Sequence, residues 1–252
     1  DGTLELWDVE ADQQRYAGAL GALEQVLTTP TGCAARGEKI ATVDARGTRQ
    51  SFVLPGESAA ARPVALGRRG MDLLVATDSS VMEIVGGEIR KIADAASGVT
   101  VITGAPDGAI VLGFADGNIE LLNAEGQKRD FILEDTPVSP VTSIALGPAG
   151  VIAVGYATGL VGLWGMEDGK RFDTARLHGA VKHLLVEDER LYVGTEFGQR
   201  LSWHLSDFLG DRCAVLADIW REIPFTWQGG RAMATAPPVD HDCAVAAAAD
   251  AP

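Results

Sequence analysis

The sequence repeats one unit several times, and this repetition restricts the possible folds more than any other feature. Each unit has an apolar run, a turn with Gly, a second apolar run, a turn with Gly or Ser, and a run of alternating polarity. Aligned on their second turns, the units are roughly 32 to 45 residues apart, the spacing typical of four-stranded propeller blades. The aligned pairs are Asp1-Gly2, Arg46-Gly47, Asp78-Ser79, Asp116-Gly117, Thr158-Gly159 and Phe197-Gly198.

The apolar runs have the composition of β-strands. Residues 110–114 and 118–122 are two such runs, and Asp116-Gly117 stands between them. An Asp-Gly pair in this place is a strong hairpin signal, because Gly adopts positive φ without steric cost. Runs that are apolar on both faces suit strands covered on both sides. A single blade cannot bury its faces alone, so the sequence predicts an all-β fold, a β-propeller of stacked four-stranded blades with a short C-terminal helix.

The repeats also predict the domain organisation. Residues 1–208 form the propeller, with the last strands of an incomplete first blade in residues 1–21. Five further blade units follow, near residues 22–60, 61–94, 95–136, 137–177 and 178–208. Residues 209–233 form a helical and edge extension, and residues 234–252 a flexible Ala/Pro-rich tail. These units either close as a small ring or belong to a seven-blade ring in a longer chain whose upstream part is missing.

Several turn-to-strand endings resemble those of WD40 repeats. Residues 1–8 match the ending that runs from a DG turn to a WD pair, residues 157–164 and 197–203 match its Trp part, and Leu177-His178-Gly179 is similar to the opening Gly-His pair in reverse order. The resemblance implies structural roles for Trp7, Asp8, Trp164, His178 and Trp203. It also implies a scaffold that binds other proteins rather than a particular reaction.

The C-terminal extension has the pattern of a helix. Over residues 211–223, four apolar residues recur at helical spacing on one face, namely Leu216, Ile219, Trp220 and Ile223. Asp211 can cap the start of this helix and Pro224 ends it. Such a helix either covers a blade edge or the ring face, or docks into a groove of a partner. Residues 225–227 are predicted as a short edge strand.

The charge of the chain limits its possible partners, and its cysteines bear on the compartment in which it resides. The chain has 35 acidic and 21 basic residues and a net charge of -14, which repels phosphate backbones and favours a protein partner with a basic patch. No apolar run approaches the ~20 residues of a membrane helix. The three cysteines are widely spaced and indicate neither a disulfide framework nor a zinc motif. We therefore expect a cytoplasmic protein, and the high Ala, Gly and Arg usage resembles a bacterial composition.

No residue pattern points to catalysis or to a cofactor, so we expect a protein that is not an enzyme and binds no metal. The sequence lacks a GxSxG nucleophile motif and a phosphate-binding loop. Residues 240–243 are the only dense cluster of potential metal ligands, and we interpret them as a solvated turn. Two alternatives stay open. One is a small-molecule-binding or hydrolytic propeller enzyme with a site in the central channel, where Lys182 and His183 stand out. The other is a structural arm of a larger bacterial signalling or conflict protein.

Loops on a rigid scaffold are the places where recognition concentrates. The turns that join second and third strands are expected to lie together on one face of the ring. Tyr156 and Phe197 are the strongest candidates among them, because aromatic side chains often anchor interfaces. The full set of predicted binding residues is Arg46, Asp78, Asp116, Tyr156, Thr158 and Phe197.

Overall fold

The protein is an all-β propeller with five stacked blades. The computed structural model describes residues 2–55, 61–129, 132–210, 212–222, 225–228, 230–234 and 243. Every sheet is antiparallel, and strands that follow each other in the chain are neighbours in their sheet. The predicted fold class is confirmed.

In the described part of the chain, blades 1 to 4 have four strands each and blade 5 has three. Blade 1 consists of β3 (Gln25–Thr29), β4 (Gly32–Arg36), β5 (Ile40–Asp44) and β6 (Arg49–Phe52), and it follows an N-terminal hairpin of β1 (Thr3–Asp8) and β2 (Gln13–Ala19). Blade 2 consists of β7 (Pro63–Arg69), β8 (Asp72–Thr77), β9 (Ser80–Val85) and β10 (Glu88–Asp94).

Blade 3 consists of β11 (Val99–Gly104), β12 (Ile110–Phe114), β13 (Ile119–Leu122) and β14 (Lys128–Arg129). Blade 4 consists of β15 (Val141–Leu146), β16 (Val151–Tyr156), β17 (Leu160–Gly165) and β18 (Arg171–Arg176). Blade 5 consists of β19 (Val181–Glu187), β20 (Arg190–Thr195) and β21 (Arg200–His204).

The tight turns form because short acidic side chains satisfy the backbone where the strands reverse. The Oδ1 atom of Asp44 accepts hydrogen bonds from the N–H groups of Arg46 and Thr48, at 2.9 and 2.8 Å. The same atom of Asp116 accepts from the N–H of Asn118 at 3.0 Å. Gly117 follows Asp116 with φ 95°, a conformation that L side chains rarely adopt. The Asp-Gly hairpin signal thus has the expected physical basis at this turn.

The core lies between blades rather than inside one of them. One apolar cluster joins blades 3 and 4 and contains Ile152, Tyr156 and Trp164. Another joins blades 4 and 5 and contains Leu163 and Leu191. Comparable clusters join blades 1 and 2, blades 2 and 3, and the N-terminal hairpin and blade 1. Burial of apolar surface, the main favourable contribution to folding, therefore depends on stacking.

A bulge recurs at the second residue of the first strand in blades 2 to 5. The bulged residues are Val64, Thr100, Thr142 and Lys182. The Oγ1 atom of Thr100 donates to the carbonyl oxygen of Val141 at 2.7 Å, and that of Thr142 donates to Val181 at 2.5 Å. Val141 and Val181 begin the first strands of blades 4 and 5, so these hydroxyls connect blade 3 to blade 4 and blade 4 to blade 5.

Two helices and a second hairpin follow blade 5. They are α1 (Ser206–Leu209), α2 (Arg212–Glu222), β22 (Phe225–Gln228) and β23 (Arg231–Ala234). The helix α1 has no counterpart in the sequence prediction, and its Phe208 and Leu209 pack against the cluster of blades 4 and 5. The predicted helix is present as α2, although Ile219 of its proposed apolar face is exposed. The predicted cap at Asp211, Ile223 of the apolar face and the stop at Pro224 lie outside the described residues.

The cysteines differ from the sequence interpretation, which predicted no disulfide framework. Cys213 in α2 and Cys243 form a disulfide across 30 residues of sequence. Their spacing gives no sign of this pairing, because it depends on the path of the chain between them. Cys33 is free and buried, as a packing residue should be. No helix in the described part of the chain is long and apolar enough to cross a membrane.

Candidate protein-binding face

The turns between second and third strands lie on the same face as the connections between blades. This follows from backbone hydrogen bonds that recur in three blades, each from a second turn to the connection that precedes its own blade. The N–H of Ala115 donates to the carbonyl oxygen of Gly98 at 2.8 Å. In the same way the N–H of Ala157 donates to Pro140 at 2.9 Å, and that of Glu196 donates to Ala180 at 2.9 Å. We call this side of the propeller the turn face.

Four of the six predicted binding residues lie on the turn face. They are Asp78, Asp116, Thr158 and Phe197, one from each of blades 2 to 5, and all four are exposed. The repeat alignment therefore placed these turns correctly.

Arg46 lies on the opposite face, and its placement with the others was wrong. It belongs to the turn between β5 and β6, the third and fourth strands of blade 1. The neighbouring Ala45 donates its N–H to Thr31, in the turn between the first two strands, at 2.7 Å. The second turn of blade 1 is residues 37–39, where Glu38 and Lys39 are exposed. Both turns contain a Gly, so the alignment slipped by one strand.

Tyr156 is buried, so the expectation that it lies accessible among these turns was also wrong. Its ring packs edge-on against Trp164, with 6.4 Å between the ring centres. Burial raises the pKa of its phenol above the ordinary value. Tyr156 ends β16, whose six residues are all buried. The apolar character of this run on both faces was a sign that its last residue also points into the core.

Phe197 is an exposed aromatic side chain on the turn face, where Val138 of the connection to blade 4 is also exposed. Phe197 is 67% exposed, and its ring lies beside that of His178, with 5.2 Å between the ring centres. The turn that carries it is held by two neighbouring side chains. Glu196 accepts a hydrogen bond from the N–H of Ala180 at 2.9 Å, and Gln199 accepts one from the N–H of His178 at 2.6 Å. Phe197 is therefore held outward on a braced turn.

The residues predicted from the repeat resemblance have different surroundings. Trp164 is buried, and its Nε1–H donates to the carbonyl oxygen of Glu134 at 2.9 Å. Trp203 packs partly buried against the cluster of blades 4 and 5. His178 makes its hydrogen bond to Gln199 through the backbone, and its ring is exposed.

Trp7 and Asp8 belong to the N-terminal hairpin and lie near the surface. Trp7 is half exposed and donates its Nε1–H to Glu5 at 3.0 Å. Asp8 pairs with Arg15 at 2.7 Å and accepts the N–H of Ala11 at 3.0 Å. The hydrogen bond from Arg15, followed by that from Ala11, holds the pKa of the Asp8 carboxyl below its ordinary value.

A groove of about 780 Å³ opens beside blade 3 and includes Asp116 in its wall. The apolar side chains of Phe114 and Leu133 line it, together with the ion pair of Lys128 and Glu120 at 2.8 Å. Its wall comes from the second, third and fourth strands of blade 3, from the connections on both sides of that blade and from Asp168 of blade 4. Sequence reasoning missed the groove, because no single segment contains its residues.

The central-channel alternative gains no support from the two residues on which it rested. Lys182 and His183 are both exposed, and neither forms an ion pair with an acidic residue in the part of the chain that the structure describes. Among the described residues, no group of three or more His, Cys, Asp and Glu is placed to hold a metal ion. Of residues 240–243 only Cys243 is described, and it is in the disulfide.

Comparisons with known proteins bear on the fold alone. No family model and no curated protein matches the chain. Among solved structures, the computationally designed Ika8 protein matches with a TM-score of 0.64 and 20% identity, over 81% of this chain and 65% of that one. The computationally designed Ika4 protein matches with a TM-score of 0.51 and 20% identity, over 62% of this chain and 99% of that one. The chain thus spans about 65% of the length of the first.

Proposed function

We propose that this propeller is a non-enzymatic protein-binding module and that the turn face is its binding surface. The observation that carries the proposal is Phe197, a large apolar side chain held in contact with water by a braced turn. Exposed aromatic side chains on rigid supports are frequent interface anchors, because binding buries much apolar area at little entropic cost. The propeller supplies the rigid support.

The charge of the protein favours a basic partner. The whole chain has a net charge of -14, and the exposed turn-face residues Asp78, Asp116 and Glu196 are acidic. Acidic side chains around an aromatic anchor favour a segment in which Lys or Arg flanks an apolar residue. The groove beside Asp116 can accept a second side chain of the same segment. These features support a weakly basic, partly apolar peptide surface as the partner.

A panel of synthetic peptides can test this proposal. Peptides with Lys or Arg around a central aromatic or aliphatic residue are titrated against the protein, beside matched peptides with Asp or Glu. We expect the basic set to bind, and Phe197→Ala to weaken binding by about tenfold or more, the effect of losing ~1.4 kcal/mol at an anchor.

Phe172→Ala is the matched control, because Phe172 is an exposed Phe on the outer strand β18. It should bind as the unchanged protein does, and both variants should keep the same melting temperature. Equal binding of basic and acidic peptides would exclude the basic partner, and equal weakening by the two variants would exclude the turn face as the binding surface.

A further inference from the structure

Blade 5 has an open face where the other blades have a buried one. One position in the second strand shows this most directly, because it faces the following blade in each case. It is occupied by Leu74, Val111, Ala153 and Tyr192 in blades 2 to 5. The first three are buried, whereas Tyr192 is 44% exposed. Leu185, which is paired with Tyr192 in the sheet, is 57% exposed.

A glycine on the same face of blade 5 indicates that a contact with a following blade is missing there. Gly113, Gly155 and Gly194 occupy one register position in the second strands of blades 3, 4 and 5. A Cβ atom on Gly113 would lie 2.6 Å from Val141 Cγ1, and one on Gly155 would lie 2.4 Å from Val181 Cγ1. In blades 3 and 4, glycine is thus required by the valine that begins the next blade.

Gly194 has no such neighbour among the described residues. A Cβ atom there would meet only the side chain of His183, at 3.7 Å, which is ordinary contact. Its φ is not in the left-handed region either, so the backbone does not require glycine. Gly194 therefore matches the glycines of blades 3 and 4, where blade 2 has the buried Ala76, but no blade in the described part of the chain faces it.

Two further features of blade 5 fit the same interpretation. Lys182 occupies the bulge position from which Thr100 and Thr142 donate to the next blade, and its ammonium group can donate in the same way. Blade 5 also has three strands where blades 1 to 4 have four, so within the described chain its third strand β21 is an edge. Exposed edges and apolar faces of this kind are normally covered.

We propose that the open face of blade 5 is the docking surface for a further blade of the same ring, whose first strand begins with Val or another apolar β-branched residue. That side chain would fill the space above Gly194, and the new blade would cover Leu185 and Tyr192. The N-terminal hairpin of a second copy does not meet this requirement. It exposes Glu5 and Trp7 but has no strand that begins with an apolar β-branched residue.

An extended chain tests the proposal directly. A second copy of residues 166–204 is inserted between His204 and Leu205, which supplies a fourth strand for blade 5 and a new strand beginning with the copy of Val181. Leu185→Cys is introduced into the first copy, and its labelling by a maleimide reagent is followed. We expect labelling to slow by about tenfold or more compared with Leu185→Cys in the unextended chain.

Gly194→Val distinguishes docking at this face from unspecific protection. In the unextended chain it should leave the melting temperature unchanged, because the space is open. In the extended chain, the same change in the first copy should restore fast labelling, because the incoming valine then has no room.

Three results would overturn the proposal. The first is equal labelling of the introduced cysteine in the two chains, whether or not the insert folds. The second is protection of this cysteine in the extended chain that continues when Gly194→Val is present. The third is protection of this cysteine in the unextended chain that grows with protein concentration. The last would identify a second copy as the occupant. None of these readouts uses peptide binding at the turn face, so the two proposals can fail separately.

Discussion

The first three strands of blades 4 and 5 have the same arrangement, but the two blades differ in what covers them. The second strand of blade 4 is buried at all six residues, whereas that of blade 5 alternates between buried and accessible residues. Both blades have a Trp one residue before the end of the third strand and a Gly at the same register position in the second. The comparison teaches that burial in this protein is a property of the interface between neighbours. A blade gains most of its stability from the blades on its two sides.

The largest expected effect on stability comes from replacing the tryptophan that each of the two blades has in its third strand. Trp164→Ala should lower the free energy of unfolding by about 3–5 kcal/mol, because a buried ring and its hydrogen bond to Glu134 are lost. Trp203→Ala should cost clearly less, since Trp203 is only partly buried. Urea unfolding of both variants measures the difference, and equal losses would contradict the contrast between the blades.

A smaller effect is expected from the paired glycines. Gly155→Ala should cost about 1–3 kcal/mol, because its new methyl group overlaps Val181 and the interface has to shift. Gly194→Ala should change stability by less than ~0.5 kcal/mol, because the space beside it is open. Thermal unfolding of both variants checks this. A large loss at Gly194 would mean that its face is already covered.

Because of Tyr156, we expect the stability of the protein to fall at alkaline pH. Its folded-state pKa is raised by burial, so its contribution to stability is complete below the unfolded value near ~10 and is lost as the pH rises above it. Tyr156→Phe should remove this part of the alkaline loss and change stability little at pH 7. Among the described residues, the phenol oxygen of Tyr156 has no hydrogen-bond partner to lose. Chemical denaturation at pH 7 and above pH 10 measures both effects.

The smallest effect belongs to the exposed N-terminal hairpin. The folded-state pKa of Asp8 is lowered by Arg15, so its contribution is present above the unfolded value near ~3.9 and is lost as the pH falls through the folded one. Because the pair is solvent-exposed, Asp8→Asn should change stability only slightly at pH 7. Its effect should vanish at low pH. A pH-independent loss would show that Asp8 acts through its turn rather than through its charge.

The sequence predicted the blades because each one repeats a local pattern. Apolar runs and Gly-containing turns are determined over a few residues, so the turns at Asp78, Asp116 and Thr158 could be placed without a structure. Arg46 was misplaced because two turns of blade 1 contain Gly and local chemistry does not distinguish them. Tyr156 was misjudged because exposure depends on the adjacent blade, which no local pattern describes.

Other parts of the candidate site depend on contacts between distant residues. The groove beside Asp116 combines strands of blade 3 with the connection to blade 4, and Phe197 is braced by side-chain contacts to the preceding connection. The open face of blade 5 became apparent only when equivalent positions could be compared in space. The spacing in the sequence shows that Gly113, Gly155 and Gly194 recur, but not which valine two of them face.

The disulfide between Cys213 and Cys243 encloses the C-terminal hairpin in a covalent loop. A protease that cuts inside this loop leaves both pieces attached to the propeller until a thiol reductant is added. The fragment pattern with and without reductant therefore reports the redox conditions from which the protein was isolated. In a compartment that keeps thiols reduced, one cut is enough to release the end of the chain, so the lifetime of this segment depends on where the protein resides.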